Sequence, residues 1–158
     1  MKSLVIVYSY HHNNTEKIAR AMAGVLGAPV KTPQEFDPET LPEYDLVGFG
    51  SGIYSAMHHE SILTLVERLP MVTSGRAFIF STAAIISASK TEKDHARLRK
   101  ILQSKGYTIL DEFSCKGFNT NSFLKLFGGM NKGRPNEEDI RNAVGFAERL
   151  KERCMSPE

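Results

Sequence analysis

The sequence predicts an α/β protein with a doubly wound, three-layer arrangement, in which a parallel sheet lies between two layers of helices. Continuous apolar, β-branched runs such as Leu4–Tyr8 are typical of strands that are buried on both faces of a parallel sheet. These runs alternate along the chain with segments whose apolar residues recur at helical spacing. That alternation is the pattern of βαβ units, which favours parallel strands joined by right-handed helical crossovers.

The first half of the chain predicts three strands and two helices. The first helix begins near Asn13 or Asn14, either of which can cap it, and ends at Gly27. A connection at 32–44 contains three prolines, and we expect at most one helical turn there. The second helix ends at Pro70, because proline cannot continue a helix. The three strands are predicted at Leu4–Tyr8, Ala28–Lys31 and Tyr44–Gly50.

The second half predicts two further strands, Arg76–Ser81 and Tyr107–Cys115. A loop of small residues at Ser81–Ser89 leads to a third helix. The irregular segment Gly117–Pro135 then precedes a last helix. We expect this helix to begin near Asn136, because acidic residues fill its first turn and favour the positive end of the helix dipole.

Length and composition exclude several classes of protein. The chain has 158 residues, of which 41% are hydrophobic and 24% charged, so residues 1–158 are expected to form one globular domain. A net charge of +2 spread along the chain predicts no nucleic-acid partner. The N-terminal apolar run is too short for a membrane span and lacks a signal-peptide cleavage site, which favours a cytoplasmic location. The two cysteines form neither a CxxC pair nor a zinc pattern, so we expect no metal.

The residues that follow the first strand predict an anion site. Ligands of doubly wound sheets bind beyond the carboxyl ends of the strands. There the segment Ser9–Thr15 supplies hydroxyls and amides and runs straight into a helix, whose first backbone N–H groups are unpaired. The segment contains neither a Gly-Lys-Ser/Thr sequence nor a GxGxxG pattern. An ATPase and a dinucleotide-binding site are therefore disfavoured.

Two further loops at the same edge predict a flat ligand. After the third strand, Gly52 permits an unusual backbone conformation, and Ile53 and Tyr54 offer an apolar, partly aromatic surface. After the fourth strand, the small residues of Ser81–Ala84 let a planar group approach the backbone. One phosphate site and two loops around a ring together suggest a mononucleotide with a large flat ring.

Three stretches of the chain resemble the flavodoxin family in order and spacing: VIVYSYHHNNTEKIA, DLVGFGSGIYSAMHH and AFIFSTAA. They are similar to the phosphate loop, to the third strand with the first flavin loop, and to the fourth strand with the second flavin loop. The resemblance extends from Met1 to the last helix. It implies a flavodoxin-like fold, with five parallel strands in the order 2-1-3-4-5, and FMN as cofactor.

The resemblance also implies roles for individual residues. The loop Ser9–Thr15 would hold the FMN phosphate through neutral hydroxyls and amides. The peptide near Gly52 would touch flavin N5 and respond to its redox state, and the backbone of Ser81–Ala84 would meet the pyrimidine edge. The expected cofactor-binding residues are Ser9, Tyr10, His11, His12, Asn13, Asn14, Thr15, Ser51, Gly52, Ile53, Tyr54, Ser81, Thr82, Ala83 and Ala84.

The chain departs from the family pattern at several points. His12-Asn13 stands where Thr-Gly is usual, and no tryptophan is present to stack on the flavin. The second flavin loop lacks the aromatic residue that often covers the outer ring. The chain is slightly basic, with a pI near 8.5, whereas most flavodoxins are acidic.

The histidines and Tyr54 each allow two interpretations. His11 and His12 either meet the cofactor or are exposed in the loop. His58 and His59 either accept a proton when the flavin is reduced or form a helix start on the surface. Tyr54 either contacts the flavin or supports the sheet.

The segment Gly117–Pro135 also allows two interpretations. Its apolar residues form either a satellite core that pins a long loop, or a lid or dimer contact. Cys115 is expected to be a strand residue without a redox role. The apolar residues concerned are Phe118, Phe123, Phe127 and Met130.

The leading functional hypothesis is an FMN protein that shuttles electrons between redox partner proteins, a reductase and an electron acceptor, as a monomer or weak homodimer. No acid–base or nucleophilic constellation is evident in the sequence, which favours a carrier. The alternative is an FMN-dependent oxidoreductase of the same fold, of the NAD(P)H:quinone reductase or protoporphyrinogen-oxidising type. The open second loop and the 117–135 segment motivate that alternative. A third hypothesis is an interaction module that has lost its cofactor.

Overall fold

The structure is a computed structural model that describes residues 1–118 and 129–156, and it has a sheet with helices on both faces. Two 3-10 turns, His11–Asn13 and Pro38–Glu43, lie in the connections. The helices are α1 Asn14–Leu26, α2 Glu60–Glu67, α3 Ala88–Ser104 and α4 Glu137–Met155. The strands are β1 Ser3–Tyr8, β2 Val30–Lys31, β3 Leu46–Tyr54, β4 Met57–His58, β5 Gly75–Ala83 and β6 Tyr107–Lys116.

The order of the parallel strands is β2-β1-β3-β5-β6. Since β5 and β6 are the fourth and fifth parallel strands along the chain, this order confirms the predicted 2-1-3-4-5 arrangement and the flavodoxin-like fold class. The carboxyl ends of β1, β3 and β5 therefore lie side by side at one edge of the sheet. Within residues 1–118 and 129–156, every helix is too short or too polar to cross a membrane.

The third strand is longer than the sequence predicted. It continues past Gly50 to Tyr54 and pairs with the antiparallel strand β4, which places Ile53 opposite His58. Ser55 and Ala56 form the turn, and both have positive φ, at 50° and 59°. Two left-handed residues match the twist of a tight hairpin, although Asn-Gly is the usual sequence there. Ser-Ala gives no such signal, which is why the hairpin was not predicted.

The sheet is buried on both faces, as the apolar runs predicted. In β1, Leu4 and Ile6 belong to the core beneath α2 and α3, whereas Val5 and Val7 belong to the core beneath α1 and α4. This alternation follows from the twofold repeat of side chains along a strand.

The loop predicted at Ser81–Ser89 is shorter in the structure, and the last helix begins as expected. β5 continues to Ala83, and α3 already begins at Ala88, where the Ser87 hydroxyl accepts a hydrogen bond from the Lys90 N–H. At α4, the Asn136 side chain accepts from the Asp139 N–H, and the Asp139 carboxylate accepts from the Asn136 N–H. These reciprocal bonds are a capping box, which satisfies two unpaired groups of the helix end.

Candidate functional site

A cavity of about 300 Å³ lies at the carboxyl ends of β1, β3 and β5. Its volume is at the lower end of the range for small-molecule sites, roughly 300–1,000 Å³. The three segments predicted from the sequence meet around it. The predicted residues that line it are Ser9, Tyr10, Asn14, Thr15, Gly52, Ile53, Tyr54, Thr82, Ala83 and Ala84.

Four other predicted residues do not line this cavity: His12, Asn13, Ser51 and Ser81. Ser51 and Ser81 are buried, and their hydroxyls bond to histidines behind the sheet edge. The His12 ring packs against Phe118, with ring centroids 4.4 Å apart. Asn13 is exposed directly before α1, and the backbone of His11 lies in the 3-10 turn.

The N-terminus of α1 faces this region, and its N-cap residue Asn13 supplies no side-chain cap. His12 and Asn13 both have positive φ, at 58° and 52°, and Asn13 makes no capping hydrogen bond. Left-handed backbone at non-glycine residues costs on the order of 1–3 kcal/mol each, and such strain is typical of ligand-binding segments. The Ser9 hydroxyl accepts from the Glu16 N–H at 3.3 Å. Backbone N–H groups in the first turn of a helix have no partner within the helix, so the start of α1 suits an anion, which the helix dipole also favours.

Asn14 presents a buried acceptor at the cavity wall. Its side chain is only 7% exposed, and Nδ2 donates to the Phe118 carbonyl at 2.8 Å, which fixes the orientation of the amide. Within the part of the chain that the structure describes, Oδ1 has no hydrogen-bond partner. Buried polar atoms are nearly always paired, so a ligand with an N–H or O–H group would complete this one.

Gly117 and Phe118 also line the cavity and, like Ser55, were not predicted from the sequence as site residues. A Cβ on Gly117 would stand 2.8 Å from Asn14 Nδ2 and 3.2 Å from Thr82 Cβ, so any larger residue would displace the Asn14 amide. The Gly117 N–H donates to the Ala83 carbonyl at 3.0 Å. The available signal was position, because Gly117 and Phe118 directly follow the fifth parallel strand.

His59 and Tyr54 form an aromatic group beside the cavity. The His59 ring stacks on Tyr8, with centroids 3.9 Å apart, and meets the edge of Tyr54 at 5.2 Å. Its Nδ1 accepts from the Ser61 N–H at 3.0 Å and so caps α2. Burial lowers the pKa of His59 and raises that of Tyr54. Tyr54 therefore lines the cavity and also packs against His59, and its contact with a flavin stays a prediction.

A buried serine–histidine cluster lies behind the sheet edge, on the side of α3. It consists of a row of three serines in register, two histidines and one carboxylate, with the histidine rings 4.9 Å apart between centroids. Most of these residues are nearly inaccessible to solvent. The members are Ser51, Ser81, Ser114, His58, His95 and Glu112.

Within the cluster, Ser81, His95 and Glu112 are hydrogen bonded in the order of a Ser-His-acid triad. His95 Nε2 lies 2.7 Å from the Ser81 hydroxyl, and Nδ1 lies 2.9 Å from Glu112 Oε2. However, Ser81 is 1% exposed and His95 is fully buried, so no substrate reaches the hydroxyl. The arrangement is structural, and the sequence analysis missed it because only the fold brings these three residues together.

Glu112 carries the negative charge of this cluster. Arg99 holds it with two hydrogen bonds, of 2.5 and 2.8 Å. Burial alone raises the pKa of Glu112, but the hydrogen bonds from Arg99 and His95 outweigh burial and bring the pKa to about 2. Glu112 is therefore ionised throughout the physiological range.

The structure also locates the remaining predicted features. Cys115 lies in β6, as expected, and burial raises the pKa of its thiol to about 12, which is typical of an unreactive cysteine. Met130 is half-buried, and Phe123 and Phe127 lie outside the described residues. Residues 1–118 and 129–156 contain no group of three or more His, Cys, Asp or Glu side chains that could hold a metal ion.

Comparisons with known proteins agree with this fold. A family model described as "Flavodoxin domain" matches residues 5–128. An uncharacterized protein of Methanocaldococcus jannaschii is 45% identical over 150 residues, which cover 95% of this chain and 98% of that protein. A solved flavodoxin from the domain Archaea has a TM-score of 0.67 at 12% identity, over 99% of this chain and 100% of the other. Flavodoxin 2 of Bacillus cereus has a TM-score of 0.69 at 16% identity, over 97% and 99%. At these identities the structural matches show a shared fold.

Proposed function

The chain belongs to the flavodoxin family, and on that premise we propose that it binds FMN and carries electrons between redox partner proteins. The family and the fold support a flavin-binding electron-transfer protein in general. FMN, when bound, supplies the redox chemistry by accepting and passing on electrons. The protein supplies binding, orientation and electrostatics.

The observation that carries the proposal is that one cavity contains a helix start whose N-cap side chain makes no capping bond, and a buried amide oxygen with no hydrogen-bond partner among the described residues. The N–H groups at the start of α1 suit a phosphate, and Asn14 Oδ1 suits a hydroxyl or ring N–H of the same ligand. The small residues Ala83 and Ala84, and the apolar surface of Ile53, suit a flat ring. FMN has all three of these features: a phosphate, hydroxyl and N–H groups, and a flat ring.

Exposed side chains at the rim of the cavity support the proposal that a protein partner docks there. Tyr10, which lines the cavity, is 64% exposed, and Ile85, which directly follows the lining residue Ala84, is 58% exposed. Large exposed apolar side chains are enriched at interaction sites. Electrons exchanged between the flavin and a partner docked at this rim would not have to cross the protein interior.

The first test is a fluorescence titration of the protein with FMN and, separately, with riboflavin, which lacks the phosphate. We expect FMN to bind more tightly. Asn14→Asp places a carboxylate at the start of α1. The helix dipole stabilises a negative charge there, but the carboxylate repels a phosphate. It should weaken FMN binding by about a hundredfold and riboflavin binding much less.

The matched control is Asn142→Asp, the same change at an exposed position of α4. It should leave both affinities unchanged. Equal affinity of the wild-type protein for FMN and riboflavin would contradict the phosphate site, and absence of flavin binding would contradict the cofactor assignment.

The second test separates a carrier from a reductase. The FMN-loaded protein is reduced stepwise in a spectroelectrochemical cell, and its turnover with NAD(P)H and quinones is measured. A carrier should take up electrons in two separate one-electron steps and show negligible turnover. A single two-electron step with sustained quinone reduction would contradict the carrier function.

A further inference from the structure

The peptide between Gly52 and Ile53 forms part of the cavity wall and is held from behind. The Ser51 hydroxyl donates a hydrogen bond to the Gly52 carbonyl at 2.7 Å. Because a trans peptide is planar, its C=O and N–H groups point in opposite directions. The bond to Ser51 therefore also fixes the direction of the Ile53 N–H.

The Ser51 hydroxyl is itself fully engaged. It accepts from the His59 N–H at 2.9 Å, and it lies 3.0 Å from His58 Nδ1. A hydroxyl offers one hydrogen and two lone pairs. With its hydrogen on Gly52 and one lone pair on His59, Ser51 can only accept from His58, so Nδ1 must carry the proton.

Counting hydrogen bonds gives the same tautomer. With the proton on Nδ1, the Ser51 hydroxyl makes three hydrogen bonds. Of the polar side-chain atoms of Ser51 and His58, only His58 Nε2 then lacks a partner in the described part of the chain. With the proton on Nε2, the Ser51 hydrogen would turn to Nδ1. The Gly52 carbonyl would lose its bond, and a buried N–H would be left unpaired, which is rare in proteins.

The surroundings keep His58 neutral. It is 1% exposed, and the charged or titratable groups that face it are His95 on α3 and Glu112 on β6, which Arg99 pairs. Burial lowers the pKa of His58 well below its usual value, His95 lowers it further, and Glu112 opposes both. A neutral imidazole is thus the stable form at neutral pH.

We propose that Ser51 and His58 form a positioning pair that fixes the Gly52–Ile53 peptide at the flavin, with His58 as the neutral Nδ1–H tautomer. The inference rests on the proposed function, since it assigns the wall of the same cavity. The pair acts from behind the sheet edge and does not itself line the cavity.

The test begins on the flavin-free protein with 15N NMR of the imidazole nitrogens and of the backbone amides at pH 7. The wild-type protein should show His58 as the Nδ1–H tautomer. Ser51→Ala should shift the Ile53 amide resonance and change the His58 nitrogen shifts. Ser114→Ala, which removes a hydroxyl from the same row of serines, should change neither.

The flavin-bound state is then tested by FMN titration. Ser51→Ala should weaken FMN binding by about fivefold, as expected for loss of one neutral hydrogen bond, whereas Ser114→Ala should bind like the wild type. If Ser51→Ala does not fold, Ser51→Cys keeps the volume with a weaker hydrogen bond and should shift the same resonances.

An Nε2–H tautomer in the wild type, or an Ile53 amide that does not move in the Ser51 variants, would overturn the positioning pair. If neither the wild-type protein nor any variant binds FMN, the proposed function is overturned instead. In that case the NMR measurements still decide how the Gly52–Ile53 peptide is held.

Discussion

Thr15 and Thr82 share a hydrogen bond between their hydroxyl oxygens, 2.8 Å apart, although they are 67 positions apart in the chain. Thr15 lies in the first turn of α1 and Thr82 near the end of β5, and both side chains are almost fully buried. The bond joins two walls of the cavity, so the start of the helix and the end of the strand are held at a fixed distance.

The first prediction concerns this pair. Thr15→Val and Thr82→Val each leave the other hydroxyl buried without its partner, so each should lower the free energy of unfolding by ~1–3 kcal/mol. The double variant should cost less than the sum, with a coupling of about 1 kcal/mol. Urea unfolding of the four proteins measures this cycle. Thr108→Val, at an exposed position of β6, is the control. Strict additivity would mean that the two hydroxyls do not depend on each other.

The second prediction concerns Gly117. Gly117→Ala puts a Cβ 2.8 Å from Asn14 Nδ2, so the amide must move and its bond to Phe118 weakens. We expect FMN binding to weaken by about tenfold or more, because the acceptor on Asn14 moves with the amide. Gly24→Ala, an exposed position inside α1 with open space around its Cβ, should stabilise the protein by up to ~1 kcal/mol without altering affinity. Unchanged FMN affinity in Gly117→Ala would show that Asn14 does not contribute to FMN binding.

The third prediction concerns pH. The folded-state pKa of Glu112 is about 2, below the ordinary value of 4.5. Its contribution to stability, up to ~3 kcal/mol, is therefore fully present above about pH 5 and is lost as the pH falls toward 2. Urea unfolding at a series of pH values should show this decline in the wild type and a flatter curve in Glu112→Gln. Glu67→Gln, at the exposed pair with Arg97, should follow the wild-type curve.

The fourth prediction concerns the hairpin turn after β3. Ala56 has φ of 59°, which glycine adopts without strain, so Ala56→Gly should stabilise the protein by about 1 kcal/mol. The same substitution at Ala96, exposed within α3, should destabilise it by a similar amount, because glycine costs conformational entropy in a helix. Thermal unfolding of both variants compares the signs. A loss of stability in Ala56→Gly would contradict the left-handed turn.

The sequence alone predicted the order of the four helices and the five parallel strands, the buried sheet, and the edge at which doubly wound sheets bind ligands. These features depend on local patterns: continuous apolar runs for strands such as β1, helical spacing for α1, and acidic residues with Asn136 at the start of α4. Chain order then places the carboxyl ends of β1, β3 and β5 together. For this reason the segments that begin at Ser9, Ser51 and Ser81 could be predicted to meet.

Only the tertiary structure decided which side chains enter the cavity and which turn away from it. A one-residue step along a strand moves a side chain to the opposite face, so Thr82 lines the cavity while its neighbour Ser81 bonds to His95 behind the sheet. Likewise, Gly117 fits against Asn14 from 103 positions away. Such relationships depend on pairs of residues that the fold brings together, and no local pattern in the sequence encodes their distance.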